Sequence, residues 1–197
     1  MRIPIILAGV FCATSALADE DLARQLDTIA TAFNAGQLDS LGGPDTPAEI
    51  VDQIDGRWFT LANTVRNWTG ESQADTERLT DTIERTCSDT WENLITHEAT
   101  GPDSFRIRQE SPEGEDHGTF ELFPHESGGR LFTMDLDESY ILAISGLADA
   151  DADRQREVLD AMNAMISDGI AVWRPTPDLM VNTGPEGAEI WGRCPGQ

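Results

Sequence analysis

The sequence predicts an α+β protein built around an antiparallel, strongly curved sheet or barrel-like meander with flanking helices. Two amphipathic helical segments precede the first strand-like segment. Short segments of alternating hydrophobicity then follow one another between residues 105 and 136, separated by Gly, Pro and acidic turn residues. After one further helical segment, three more strand-like segments close the chain. This order is typical of a sheet that curves onto itself.

The helical segments are identified by their apolar spacing and their ends. The first has one apolar stripe, after which Gly36 ends it: Leu22, Leu26, Ile29, Ala30 and Phe33. A short second helix is predicted to begin with Thr46 as the N-cap, Pro47 at the first position and Glu49 closing a capping box. The stretch "ADTERLTDTIERTC" also has one apolar helical face.

The strand-like segments begin with Gly56–Val65, "GRWFTLANTV". "WENLITHEA" fits either helix or strand and we interpret it as a strand. "SFRIRQES", "HGTFELF", "RLFTMDL" and "SYILAIS" are predicted to continue the meander. A helix near residues 149–168 interrupts it, and "IAVWRP", "DLMVN" and "AEIWGRC" complete it, the last two as a hairpin.

The N-terminal segment has the features of an export signal. A basic start is followed by an apolar stretch too short to span a bilayer and by the small residues "ALA" at 16–18. We expect cleavage after Ala18, a helical extension over residues 19–55 and a β domain over residues 56–197. The protein is expected to be a periplasmic monomer without a lipid anchor.

The cysteines indicate a disulfide bond. Removal of residues 1–18 removes Cys12 and leaves Cys87 and Cys194. Two cysteines in an exported chain most simply pair, and their separation does not match a CxxC redox or zinc motif.

The charge balance excludes some partners. The chain carries 36 acidic and 13 basic residues, a net charge of −23, and every basic residue is arginine. Such a surface repels nucleic-acid phosphates and anionic lipid headgroups, whereas it attracts cationic proteins or peptides. An acidic surface that keeps a protein soluble in a salt-rich habitat explains the same composition.

The acidic stretch "DADADRQREVLD", residues 149–160, resembles a calcium loop at first sight. A calcium loop needs glycine at its sixth position, where this chain has Arg154, and a bidentate glutamate at its twelfth, where it has Asp160. As a helix start, Asp149 or Asp151 caps and the other acids face the positive end of the helix dipole. We therefore interpret the stretch as a helix start.

No catalytic, metal or cofactor motif stands out. The histidines, His97, His117 and His125, lack zinc-site spacing, and we interpret them as exposed strand-end residues. No GxSxG motif or phosphate-binding glycine loop is present. The best carboxylate pair, Asp135 and Asp137 beside Tyr140, is better explained as a polar strand face and turn. An enzymatic function is therefore not favoured, and no cofactor is expected.

The aromatic residues are more informative. Most must fill a core, but closed antiparallel sheets of about eight strands can hold one small apolar ligand. The predicted lining residues are Trp58, Phe120, Phe132, Met134, Trp173 and Trp191.

The "GRW" sequence at Gly56–Trp58 resembles the G-x-W signature of lipocalin-like barrels. In that family the tryptophan closes one end of the barrel and packs against an arginine near the end of the chain. The resemblance implies these roles for Trp58 and Arg193. The order of elements departs from the family, since a long helix here precedes the last strands.

A second resemblance covers one helix: "AFNAGQLDSL", Ala32–Leu41, is similar to the end of the first helix in the ketosteroid-isomerase-like cone fold. Three functions follow from the sequence. The first is binding of a small apolar ligand, the second is capture of a cationic protein or peptide, and the third is a cone-fold enzyme.

Overall fold

The protein folds around a closed barrel of eight antiparallel strands in chain order. The computed structural model describes residues 13–65, 76–184 and 187–195. The strands are β1 (Gly56–Val65), β2 (Leu94–Ala99), β3 (Phe105–Glu110), β4 (Asp116–Pro124), β5 (Leu131–Leu136), β6 (Ile170–Thr176), β7 (Leu179–Gly184) and β8 (Gly187–Arg193). Pairing of β1 with β8, from Trp58 opposite Arg193 to Val65 opposite Gly187, closes the barrel. The predicted α+β fold with a curved sheet is confirmed.

Five α-helices surround or connect the strands in the described ranges: α1 (Ala13–Asn34), α2 (Pro47–Val51), α3 (Thr76–Thr86), α4 (Glu138–Ile144) and α5 (Ala152–Ile166). A short 3-10 helix, Leu38–Leu41, follows α1. Helix α1 extends across the position predicted for signal cleavage, which stays a prediction. None of these helices is long and apolar enough to cross a membrane.

Helix α1 covers the outside of the barrel along β1, β7 and β8. Its predicted stripe is buried, with Leu26, Ile29 and Ala30 almost inaccessible to solvent. The stripe contacts outward-facing strand residues that include Phe59 and Ile190. The resulting outer core explains why a segment predicted as an extension is amphipathic: it shields the strands that close the barrel.

The disulfide between Cys87 and Cys194 is present, with the two Cα atoms 5.5 Å apart. It joins the end of α3 to the residue that follows β8. The Cys194 amide also donates a hydrogen bond to the carbonyl of Arg57 at 2.9 Å. The bond therefore fixes β8 beside β1 at the seam that closes the barrel.

The segment "SYILAIS", predicted as a strand, is instead helical. Its first residues form α4, for which Asp137 is the N-cap and accepts hydrogen bonds from the amides of Ser139 at 2.7 Å and Tyr140 at 3.1 Å. Gly146, with a φ of +67°, follows the helix end. The β-branched residues favoured a strand, but the cap and the nearby glycine favour one short helix.

The predicted N-cap at Thr46 is confirmed, and of the two candidates for α5 the N-cap is Asp151. The Thr46 hydroxyl accepts from the Glu49 amide and donates to the Glu49 carboxylate at 2.8 Å. Asp151 caps α5, because its carboxylate accepts from the amides of Asp153 at 3.2 Å and Arg154 at 3.0 Å. The acidic stretch is thus the start of a helix.

Replacing Asp151 with alanine is expected to lower the free energy of unfolding by about 1 kcal/mol, since two amides of the first turn lose their acceptor. Asp149→Ala is the matched control, because it removes the same charge from the same segment without removing a cap. Urea denaturation at one pH and ionic strength measures both. Equal effects of the two substitutions would contradict the capping role.

Candidate functional site: the interior of the barrel

Strand alternation determines which side chains face the interior. On β7 and β8, Val181 and Ile190 lie in the outer core beneath α1, whereas their neighbours Met180 and Trp191 lie in a second, inner core. Because successive side chains point to opposite faces, Asn182 and Glu189 also face inwards. The same alternation places Gln109, Phe120 and Met134 on the inner face of β3, β4 and β5.

One half of the interior is densely packed. We define this closed half by five inward-facing residues that solvent barely reaches: Trp58, Phe105, Leu122, Phe132 and Met180. Ile50, Val51 and Ile54, from α2 and the segment after it, pack against them and cover this end of the barrel. This half therefore leaves little room for a ligand.

Two arginines complete the closed end. The Arg193 guanidinium lies 4.8 Å from the centre of the Trp58 ring, and the Trp58 indole donates to the carbonyl of Ile54 at 3.0 Å. Arg193 donates to the Asp55 carbonyl at 2.6 Å and also to that of Gln53. The contact implied by the lipocalin resemblance is thus present.

Arg174 has the same role from β6. It is 5 % exposed, and it donates to the carbonyls of Ile50 at 2.8 Å, Gln53 at 3.1 Å and Pro177 at 3.0 Å, and also to that of Asp52. The two guanidinium groups thus satisfy carbonyls left over at the end of α2. The two arginines therefore hold the segment that covers the closed end of the barrel.

The expectation that His97 is an exposed strand-end residue is wrong: it lies at the centre of the closed half and is fully buried, because its strand β2 places it on the inner face among aromatic rings. Its ring stacks on Trp58, with centroids 4.9 Å apart and planes 15° apart, and it also contacts Phe105 and Trp191. Neither ring nitrogen has a hydrogen-bond partner among the described residues. Burial, together with the positive charges of Arg193 and Arg174, lowers the pKa of His97 from 6.5 to about 3. The ring is neutral at pH 7.

The other half of the interior is less tightly packed. We define this open half by five inward-facing residues, all half-buried: Gln109, Phe120, Met134, Asn182 and Glu189. The inward-facing residues that define the closed half are, by contrast, almost inaccessible to solvent. The partial exposure of the open-half residues means that solvent reaches the interior at this end.

The open half has a polar and an apolar wall. Asn182 and Glu189 lie opposite each other on β7 and β8, and Phe120 and Met134 lie on β4 and β5. The side-chain oxygens of Asn182 and of Asn93, just before β2, are buried without a hydrogen-bond partner in the described ranges. Burial raises the pKa of Glu189, and the indole N–H of Trp191 offsets part of this effect. The arrangement suits a small molecule that has both polar and apolar parts.

Helix α4 lies against the apolar wall. The Tyr140 ring meets Phe120 edge to face, with centroids 5.5 Å apart. It also lies over Gly118, where an added Cβ atom would be 2.7 Å from the tyrosine ring. Glycine at this position therefore allows the tyrosine ring to lie on the inner face of β4, where it covers part of the open half.

Of the predicted lining residues, five face the interior and one does not. Phe120 and Met134 line the open half, whereas Trp58, Phe132 and Trp191 belong to the inner core. Trp173 is on the outer face of β6, where its indole donates to Asp39 at 3.1 Å and its ring faces Arg130. The alternation along β6 places Val172 and Arg174 inside the barrel. The sequence "IAVWRP" alone does not determine which face of the strand points inwards.

Two other ionisable residues considered from the sequence, His125 and Asp137, make structural hydrogen bonds. His125 lies outside the barrel, where its Nδ1 accepts from the Ser127 amide at 3.1 Å. The carboxylate of Asp137 is used by the α4 cap, and its hydrogen bond from the Ser139 hydroxyl is the main reason that the pKa of Asp137 is lowered. In the described ranges, no three histidine, cysteine or acidic residues converge as a metal site.

The sequence interpretation missed Glu189 and Arg174. Each had a signal: Glu189 lies two residues before Trp191, and Arg174 two residues after Val172, which is the spacing of one strand face. A charged residue on an apolar face is more often a strand end exposed to water. The closure of the barrel, which the sequence does not specify, is what places both side chains in the interior.

A shallow depression lies outside the barrel beside α2, lined by Gly43, Pro44, Asp45, Ala48, Glu49 and Asp52. It is broad and open to solvent.

The eight-stranded closed barrel means that the similarity to the cone fold does not extend beyond the stretch at the end of helix α1. Comparison of the chain with protein-family models, curated proteins and solved structures found no match.

Proposed function

We propose that this protein binds a small ligand, partly apolar and partly polar, in the open half of its barrel. The observation that carries the proposal is the contrast between the two halves. The closed half has inaccessible aromatic and aliphatic side chains, whereas the five residues of the open half are half-buried although they face inwards. Ligand sites in proteins are concave and combine apolar surface with a few oriented polar groups, and the open half places Phe120 and Met134 opposite polar side chains such as Asn182 and Glu189.

The setting that we propose is the periplasm, with the protein acting as a monomeric carrier. The export features of residues 1–18 support this proposal, and the Cys87–Cys194 disulfide is compatible with an oxidising compartment. The lipocalin-like Trp58–Arg193 contact also supports it, because it closes the barrel at one end and leaves the other end for a ligand. No catalytic step is part of the proposal.

The test is to fill the open half. Met134→Trp adds a large ring on the inner face of β5 and is expected to weaken binding of the neutral fluorescent probe N-phenyl-1-naphthylamine at least tenfold, or roughly 1.4 kcal/mol. Thr133→Trp, on the outer face of the same strand, is the control and should leave the affinity unchanged. Fluorescence titration measures both, and thermal unfolding verifies that both variants fold.

Native mass spectrometry of the exported protein, before and after denaturing extraction, complements the titration. A co-purified small molecule that Met134→Trp excludes and Thr133→Trp retains would support the proposal. If the wild-type protein bound no probe, or if both tryptophan variants bound it equally, the open half would not be the binding site.

A further inference from the structure

We propose that Glu189 makes the open half selective for ligands with a cationic, hydrogen-bond-donating head, such as a primary ammonium group on an apolar chain. This inference rests on the proposed binding function and concerns the polar wall of the same site. It is carried by the position of the charged groups on the inner face of the barrel.

Glu189 places a carboxylate inside the open half. It faces inwards because Ile190 faces the outer core and Trp191 the inner core. A carboxylate has two oxygens with about four lone-pair sites, so it can accept from a ligand in addition to contacts within the protein. Glu189 as a whole is half-buried, and the surrounding barrel strengthens the electrostatic effect of its carboxylate.

Among the described residues, the arginines on the inner face, Arg174 and Arg193, lie at the opposite end. Arg193 is four residues from Glu189 along β8, a distance of roughly 13 Å in an extended strand. Its guanidinium and that of Arg174 are bonded to carbonyls of the segment that covers the closed end. An anionic headgroup in the open half would therefore meet a carboxylate while the arginines remained out of reach.

Three further polar side chains of the same site do not distinguish a cationic from an anionic headgroup. Asn93, Gln109 and Asn182 carry carboxamides, which can donate or accept and can therefore bind either kind of head. The net charge of −23 favours cations over the whole surface. Glu189 is the group that applies this preference inside the site, where water screens it less.

A ligand series with matched chains tests the inference. Decylamine, 1-decanol and decanoate share a ten-carbon chain, and each would compete with N-phenyl-1-naphthylamine below its micelle-forming concentration at pH 7. The wild-type protein is expected to bind the amine more tightly than the carboxylate, by on the order of tenfold to a hundredfold, with the alcohol between them.

Glu189→Gln should remove most of the amine's advantage. Glu121→Gln is the matched control, because it removes one carboxylate from the outer face of β4 and should leave the order of affinities unchanged. Glu189→Asp keeps the charge and should retain the amine preference, which separates the effect of charge from loss of folding.

The inference is overturned if the wild-type protein binds decanoate as tightly as decylamine, or if the order is the same in Glu189→Gln. Equal binding of all three compounds would leave the proposed binding function standing and remove the charge selectivity. If none of them displaced the probe, the charge selectivity would fail, whereas the binding function would still be decided by the Met134→Trp titration.

Discussion

Removing the disulfide by Cys87→Ala and Cys194→Ala together is expected to lower the free energy of unfolding by about 4–5 kcal/mol. The two cysteines are 107 residues apart, so the bond closes a long loop in the unfolded chain and restricts that state strongly. Small domains have stabilities of only about 5–15 kcal/mol, and a loss of this size removes a large part of that margin.

Removal of the bond should also increase local opening at the seam of the barrel. Cys194 is 2 % exposed and lies in the outer core beside the strands that α1 covers. Without the bond, β8 is held beside β1 by its ladder of hydrogen bonds and by the contacts of α1. We expect hydrogen exchange in β8 to increase more than exchange in β3 or β4.

Guanidinium denaturation of the double variant and of the wild-type protein measures the change. Reduction of the wild-type protein with dithiothreitol provides a control without substitutions, and it should reproduce most of the loss. A difference below 1 kcal/mol in both comparisons would mean that the bond does not constrain the unfolded chain as this loop length implies.

The elements that the sequence predicts well are those set by local chemistry. Helix α5 could be predicted because Asp151 precedes an apolar stripe, and β5 because Phe132 and Met134 alternate with polar residues. Local patterns of this kind need no knowledge of tertiary contacts. The disulfide could be predicted because the expected cleavage leaves two cysteines.

The candidate site depends on contacts that the sequence does not contain. Whether Trp173 or Arg174 faces inwards depends on the register of β6, and a shift of one residue exchanges the two faces. The prediction of a strand for "SYILAIS" was wrong because its apolar run fits either a helix or a strand. The N-cap at Asp137 favours the helix. The burial of His97 requires the aromatic rings of three other strands.

The second large effect concerns acid and follows from the buried His97. In the unfolded chain a histidine gains a proton as the pH falls through about 6.5. In the folded protein burial and the two nearby arginines lower the pKa of His97 to about 3. Between these values the unfolded state binds the proton and the folded state does not. The contribution of neutral His97 to stability is therefore complete above pH 6.5 and is lost as the pH falls towards 3.

The size of the effect follows from linkage, at about 1.4 kcal/mol per pH unit. From pH 7 to pH 4, His97 should thus cost the folded state roughly 3 kcal/mol. Protonation of the many carboxylates acts at the same time and relieves their mutual repulsion. The two contributions can be separated only by comparing the wild-type protein with a variant that lacks His97 and keeps the same acids.

His97→Phe is that variant, because it keeps an aromatic ring between Trp58, Phe105 and Trp191 and removes the titrating group. The difference in unfolding free energy between variant and wild type should move in favour of the variant by roughly 3 kcal/mol between pH 7 and pH 4. His117→Gln, at the exposed start of β4, is the control and should show a much smaller change. Urea denaturation at both pH values provides the comparison. Parallel pH profiles for wild type and His97→Phe would mean that His97 accepts a proton in the folded barrel, and that water reaches the closed half.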